Sequence, residues 1–464
     1  MNGDGKIDLV SIGDHGSPKV NATEGGLMIW LNNGDGTQWT LNKTGNFGYG
    51  GIALGDVNND GFTDAGYSMH HNYSSDDFGD QLIETALGNG TAALWQPYDD
   101  GLAVNGETYG MFGIDFADIN NDGLLDLGSN SFGCCNGFHV YKNNGNGTWT
   151  QTYAKNGGNS GQWLQFGDFN NDGNADIIVA TQGTQLWCNN GVGGFTSMQY
   201  GLSAGYNINT DVAEVNNDGA KDIAVAKGGA KVYYFDAGKN IWQSLSSGLP
   251  ESGVKGIKLA DMNMDGKTDV VIWSAKNISV YTSNMEYEWS QAASFAISES
   301  VLSGMAVADF DHDGFNDIAY LAGTSTGSNK LRVYLHVRES PGLKIIPVFP
   351  KGKEHFNGGS VQFVQWLSSV PPGDSAAVKL EFSANGIRGK WKTIVQKAPN
   401  TNRYQLVLPE INSSNCYLRY TIKTAGSSKS VINLFPFSIS TRLYNADGKM
   451  TADKSIYGNI RAEE

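Results

Sequence analysis

The chain has 464 residues, among them 61 Gly, 11 Trp and 20 Tyr, with only 17% charged and a formal net charge of −15. That composition favours turn-rich β-structure divided between two domains. The acidic balance, with no Lys/Arg-rich run, argues against a nucleic-acid partner; no apolar run reaches the roughly 18 residues that a transmembrane helix needs, and no charged-then-apolar leader opens the chain.

From the N-terminus, Asn2-Gly3-Asp4-Gly5-Lys6-Ile7-Asp8 matches the interior of a nine-residue motif, D-x-N-x-D-G-x-x-D. The motif recurs from Asp56, Asp118, Asp168 and Asp261 and, with substitutions, from Glu214 and Asp309. Because the first copy opens inside the motif, the natural protein is expected to begin upstream of Met1. Successive starts from Asp56 onward are 62, 50, 46, 47 and 48 residues apart. A period of that size holds four short strands with their turns and suits the blade of a propeller, not a helical repeat. An apolar run precedes each copy (residues 112–117) and a β-branched or aliphatic run follows it (176–180), which predicts strands A and B. A third strand leads to an Asn/Gly turn (30–40, 140–150, 187–195), and strand D opens on an aromatic: Trp39, Trp95, Trp149, Phe195, Trp242 and Trp289. These aromatics are expected to pack between blades.

The spacing of the motif suits a hard cation bound by oxygens. Positions 1, 3, 5 and 9 supply side-chain oxygens, position 7 a backbone carbonyl, and glycine at position 6 the sharp turn, as in a shortened EF-hand loop. The predicted calcium ligands are Asp56, Asn58, Asp60 and Asp64; Asp118, Asn120, Asp122 and Asp126; Asp168, Asn170, Asp172 and Asp176; Glu214, Asn216, Asp218 and Asp222; Asp261, Asn263, Asp265 and Asp269; Asp309, Asp311, Asp313 and Asp317; and, in the incomplete first loop, Asn2, Asp4 and Asp8. The carbonyls would come from Lys6, Phe62, Leu124, Asn174, Ala220, Lys267 and Phe315. A single copy would read equally well as an Asp-Gly turn, but seven copies with acidic residues held at three positions do not. The loops contain 21 of the 47 acidic residues, and carboxylates crowded without metal repel and rise in pKa. Up to seven structural Ca2+ ions are expected, and their removal is expected to destabilise the domain.

At Phe166-Gly167-Asp168-Phe169-Asn170-Asn171-Asp172-Gly173-Asn174-Ala175-Asp176 the chain resembles the FG-GAP or VCBS repeat family, whose best-known members are the heads of integrin α subunits. The resemblance covers residues 1 to about 340. It implies an all-β fold with a seven-bladed β-propeller, calcium between strands A and B, and a secreted or cell-surface protein. Strand A of the first blade is absent, and no aromatic marks a strand D after residue 337. Ring closure is expected either from a segment upstream of Met1 or from residues 343–349.

Beyond residue 343 the loops stop and shorter alternating runs follow at 361–367, 377–383, 391–395, 404–408, 417–422 and 431–437. The expected domains are therefore a propeller at 1–342, a smaller β-sandwich at 343–440 that resembles immunoglobulin- or fibronectin-like modules, and a polar tail at 441–464. Trp391 reads as a core residue of the sandwich. Cys188 and Cys416 read as small core residues, and four cysteines are too few for a disulfide scaffold.

In a four-stranded blade the A–B and C–D loops share one face, so the irregular B–C and D–A loops lie on the other. There the candidate ligand-binding residues are His70, His71, Tyr73, Asp76, Asp77 and Asp80 in the second blade, with adjacent Cys134 and Cys135 in the third, either as a vicinal disulfide or as free thiols. The preferred reading is a non-catalytic extracellular module that recognises a glycan or a cell-surface protein on this face. The alternative is a secreted polysaccharide lyase or hydrolase using His70, His71 and Tyr73. A serine nucleophile elbow, a phosphate loop and an H-E-x-x-H helix are all absent from the sequence. Secretion is inferred from calcium, because loops of extracellular modules commonly have dissociation constants of about 10⁻⁴ to 10⁻³ M, beyond the reach of cytosolic calcium.

Overall fold

A computed structural model describes residues 1–12, 26–45, 47–48, 50–69, 71–72, 78, 80–104, 107, 111–131, 137–155, 163–181, 183–198, 202, 209–284, 286–322 and 330–441. Among these residues the fold is all-β, and no helix is long and apolar enough to cross a membrane. Seven antiparallel sheets follow one another in chain order. The first is Leu9–Ile12, Leu27–Asn32, Trp39–Thr44, and the second Ile52–Gly55, Asp64–Ser68, Ile83–Gly88, Trp95–Pro97. The third is Met111–Ala117, Asp126–Ser131, Phe138–Asn143, Trp149–Ala154, and the fourth Trp163–Gly167, Asp176–Thr181, Gly183–Asn189, Phe195–Met198. The fifth is Asn209–Ala213, Asp222–Lys227, Gly229–Asp236, Ile241–Ser244, and the sixth Gly256–Ala260, Asp269–Trp273, Asn277–Ser283, Trp289–Ala296. The seventh, Val301–Ala308, Asp317–Ala322, Lys330–Tyr334, has no fourth strand among the described residues. Strands A of the second to seventh sheets touch one another in succession, which places them on the inside.

The first sheet returns to the seventh. Asn32 Nδ2 donates to the Phe310 carbonyl at 2.7 Å, and the Trp39 ring stands edge-on to Phe310 at 5.4 Å. The same joint recurs between neighbours. An apolar residue at motif position 2 is buried beneath the strand-D aromatic of the following sheet: Phe169 meets Trp242 edge-on at 6.0 Å, and Val57, Ile119 and Val215 share core clusters with Trp149, Phe195 and Trp289. The expected packing of aromatics between blades is thus anchored on the motif itself, because the residue after its first Asp points into the inter-sheet core.

Two further sheets follow. One is Lys344–Phe349, Val361–Ser369, Arg403–Val407; the other runs His355–Asn357, Phe437–Ser440, Ser413–Lys423, Ala377–Ser383, Lys392–Pro399, with Ser428–Ile432 paired to Ser413–Lys423. They enclose one core that contains Trp366, Leu380, Leu418, Tyr420 and Phe437. Three expectations are corrected. Residues 343–349 pair with Val361–Ser369 and do not complete the seventh sheet. The run at 431–437 is two strands, interrupted where Asn433 turns its side chain to the Leu418 amide and the Phe435 carbonyl. Trp391 lies half-exposed under the Arg419 guanidinium, 4.3 Å from the ring centroid, whereas Trp366, only 1% exposed and bonded to Asn400, is the core tryptophan. Of the cysteines, Cys416 is fully buried and Cys188 half-buried, both as free thiols.

Candidate metal centres

The loops between strands A and B share one hydrogen-bond scheme. In the Asp56, Asp118 and Asp168 loops the carboxylate at position 1 accepts the amides of positions 5 and 6: Asp56 from Asp60 and Gly61, Asp118 from Asp122 and Gly123, Asp168 from Asp172 and Gly173, at 2.7–3.1 Å; Glu214 accepts those of positions 4 and 6, and Asp309 that of position 6. In all seven loops the Asp at position 5 accepts the position 7 amide, as with Phe62, Leu124, Asn174, Ala220, Lys267, Phe315 and Lys6. The side chains at positions 1, 3 and 5 are thereby turned toward the loop interior. The tight path needs left-handed backbone at position 4 as well as at Gly in position 6: Asn59, Asn121, Asn171 and Asn217 have φ of 54–59°, and Gly3 takes that place in the first loop. Asn and Gly adopt this conformation at least cost.

The Asp at position 9 does more than its expected ligand role. One oxygen accepts the amide of position 2, and the other accepts an amide at the end of strand C: Asp64 from Val57 and Gly88, Asp126 from Ile119 and Asn143, Asp176 from Phe169 and Asn189, Asp317 from Phe310 and His336. A carboxylate has about four lone-pair directions, so these bonds leave room for a metal. A second set of residues escaped the sequence reading. Asn143 Nδ2 donates to the Leu125 carbonyl of its own sheet and, at 2.7 Å, to the Val57 carbonyl of the preceding one; Asn189 does the same with Ala175 and Ile119, and Asn32 with Ile7 and Phe310. The recurring Asn-Asn-Gly after strand C was their signal. Replacing Asn143 by Ala removes these bonds and strands buried carbonyls, so Asn143→Ala is expected to cost about 2–4 kcal/mol in urea unfolding. Asn144→Ala, on the exposed side of the same turn, is the control.

Burial dominates the electrostatics. It pushes Asp64, Asp269 and Asp317 up to about 7 and Asp118 up to about 6, with neighbouring loop carboxylates adding to the rise and amide donors opposing it. Asp126, Asp176, Asp222 and Asp309 are raised well above the usual range, also chiefly by burial. Asp309, Asp311 and Asp317 bring oxygens within 4.8 Å of one another, and the buried Asp309 Oδ1 and Asp222 Oδ1 have no hydrogen-bond partner. Crowded, desolvated carboxylate oxygens of this kind fit an oxygen-seeking divalent ion. The Glu214 loop differs, because the ammonium groups of half-buried Lys221 and buried Lys351 also act on its carboxylates. A raised carboxylate pKa means that the metal-free fold binds protons more readily than the unfolded chain. Its penalty is absent below the unfolded value near 4 and complete above about 7. The metal-free protein is therefore expected to gain stability as pH falls from about 8 to about 5, while calcium binding weakens. In thermal melts the difference between calcium and chelator is expected to shrink over that range; a constant difference would contradict the assignment.

The C-terminal sheets sit directly over these loops, a relationship the sequence did not disclose. Gln405 bonds both the amide and the carbonyl of Asp56, the Val361 amide donates to Asp118 Oδ2 at 3.0 Å, and Asn357 donates to the Gly173 carbonyl. Lys353 reaches the Asn217 carbonyl, Lys344 the Met264 carbonyl, and the Val370 amide the His312 carbonyl. Gly219 and Gly314 are approached so closely that an added Cβ would lie 2.6 Å from the Lys353 backbone and 2.7 Å from Ser369 Cβ. Arg403 lies near Asp115 of an inner strand, close enough to act on its carboxylate, and stacks on Phe363 at 3.5 Å.

Of the residues expected on the opposite face, His70, Tyr73, Asp76, Asp77, Cys134 and Cys135 lie outside the described residues. His71 is in a short strand, His71–Asn72, paired with Phe47–Gly48. Asp80 is exposed and comes together with two acidic residues the sequence reading did not single out, Glu84 and Asp99. Between the second and third sheets a buried polar group joins Glu107 to Tyr141, Gln151 and His139, with the His139 Nδ1 to Glu107 Oε1 distance 3.3 Å.

Comparison with known proteins adds the following. An FG-GAP-like repeat matches residues 1–66, 131–179, 168–225 and 261–320. No curated protein matches the chain. Among solved structures, a protein from Lactobacillus plantarum is similar at 11% identity and a TM-score of 0.45, over 72% of this chain and 97% of that one. A 6-phosphogluconolactonase candidate from Bacteroides fragilis is similar at 8% identity and a TM-score of 0.46, over 71% and 95%.

Proposed function

For a chain that carries FG-GAP-like repeats in these stretches, we propose a calcium-stabilised extracellular recognition or adhesion module that binds a glycan or a cell-surface protein. In this reading residues 1–342 form a seven-bladed propeller, residues 343–440 an immunoglobulin- or fibronectin-like sandwich, and calcium fills the A–B loops as a structural ion. The observation that carries the reading is the docking of the C-terminal sheets over the loops of the second to seventh sheets, for example Val361 on Asp118 and Lys353 on Asn217. A cation held beneath another layer of protein serves the fold, and the face left for a partner is the opposite one. In the first and second sheets its B–C connections are long, and long loops on a rigid scaffold are where binding residues concentrate.

The test is a glycan-array and cell-surface binding screen of the calcium-loaded chain against a His70→Ala/His71→Ala double variant, with the solutions assayed for unsaturated sugar products. Binding that the double variant loses, without product, supports the module. Product formed by the wild type and abolished in the variant would replace it with the lyase reading.

A further inference from the structure

Glu84 is the second residue of strand C of the second sheet, Asp99 lies two residues past the end of strand D, and Asp80 precedes strand C, so all three stand away from the A–B loop of their own sheet. Ala86 is paired with Pro97, and the Tyr98 amide donates to the Thr85 carbonyl, which carries Asp99 toward Glu84. One oxygen from each of Asp80, Glu84 and Asp99 lies within 4.8 Å of the others. Like charges at that distance are not left in a fold without compensation. Glu84 is only 1% exposed; its Oε1 accepts the Gln81 amide at 2.8 Å, and its Oε2 is buried with no hydrogen-bond partner. The side-chain oxygen of Gln81, within the same turn, is also buried without a partner. Asp80 is exposed and gives the group an opening to solvent.

We propose that Asp80, Glu84 and Asp99 bind a divalent cation, calcium by the all-oxygen character of the donors, at a site separate from the repeat loops. The ion would satisfy Glu84 Oε2 and tie the B–C connection of the second sheet to its D–A connection, on the side assigned above to the partner. Three carboxylates with the Gln81 oxygen and water supply the six to eight oxygens that calcium takes, whereas the strict octahedron of magnesium is harder to build from them. Without an ion, Glu84 would remain protonated against Asp99.

These alternatives differ in calcium stoichiometry. Calorimetric titration of calcium into the chelator-treated full chain is expected to show one equivalent fewer for Glu84→Gln than for the wild type, with the remaining sites unchanged. Asp80→Asn, at an exposed position where folding is not at stake, is expected to weaken that one equivalent by at least tenfold. If Glu84→Gln does not fold, Asp80→Asn decides. Equal stoichiometry and affinity in wild type and variants would overturn the proposal and leave Glu84 as a protonated carboxyl. A wild type that binds a single calcium, lost in Glu84→Gln, would uphold this site while refuting the loop sites.

Discussion

Chelation of calcium is expected to lower the melting temperature of the full chain by about 7–14 °C. A site of extracellular affinity, with a dissociation constant of about 10⁻⁴ to 10⁻³ M, contributes about 1.4–2.7 kcal/mol at about 10 mM calcium. Five loops begin with Asp and carry the four donor positions, from Asp56, Asp118, Asp168, Asp261 and Asp309. Together they approach the roughly 5–15 kcal/mol that holds an ordinary domain folded. The loss is expected to be cooperative, because the loops seat their position 2 side chains in the next inter-sheet joint and support the C-terminal sheets from below. Differential scanning calorimetry with calcium and with EGTA measures it. A shift of only one or two degrees would mean that the loops are ordinary Asp-Gly turns.

Asp126→Ala is expected to destabilise the chain by about 3–5 kcal/mol, the largest effect of any single loop substitution considered. It removes a proposed metal ligand and also strands the buried Ile119 and Asn143 amides, each at about 1–3 kcal/mol. Asp122→Ala removes a proposed ligand from the same loop, but its carboxylate is about one-third exposed and pairs with Lys142 at the surface. It is expected to cost about 1–2 kcal/mol in calcium and little in chelator. Urea unfolding of both variants at about 10 °C, with and without calcium, separates the two roles of the motif. Equal losses for Asp122→Ala and Asp126→Ala would show that position 9 is a ligand and nothing more.

The period of the motif and the strands flanking it were legible in the sequence because each loop needs particular residue types at fixed positions. Asp at position 1, Gly at position 6 and Asp at position 9 tolerate few replacements, so the copies stay recognisable. The strand-D aromatics were legible for a related reason, since one bulky side chain fills each inter-sheet joint. Asn32, Asn143 and Asn189 were visible only as turn formers, because Asn-Asn-Gly suits a turn whether or not its first side chain reaches the next sheet. Docking of the C-terminal sheets had no signal: Val361 and Val370 use backbone amides there, and Gln405 and Asn357 are single polar residues without a period. Trp391 and Trp366 both stand in apolar runs, and only the pairing of Val361–Ser369 between two neighbours shows which is enclosed. Glu84 and Asp99 are 15 residues apart in sequence and meet only through strand pairing, so no local pattern announces them.

The central claim is that the A–B loops hold calcium, and terbium-substituted crystals test it most directly through anomalous scattering. The account predicts a peak within each Asp-initiated loop, bounded by positions 1, 3, 5 and 9 and the carbonyl of position 7: Asp118, Asn120, Asp122, Asp126 and Leu124 in the third sheet. Loops that keep their internal hydrogen bonds and show no peak would contradict it, and with it the structural role of the ion in both the ring and the docked C-terminal sheets.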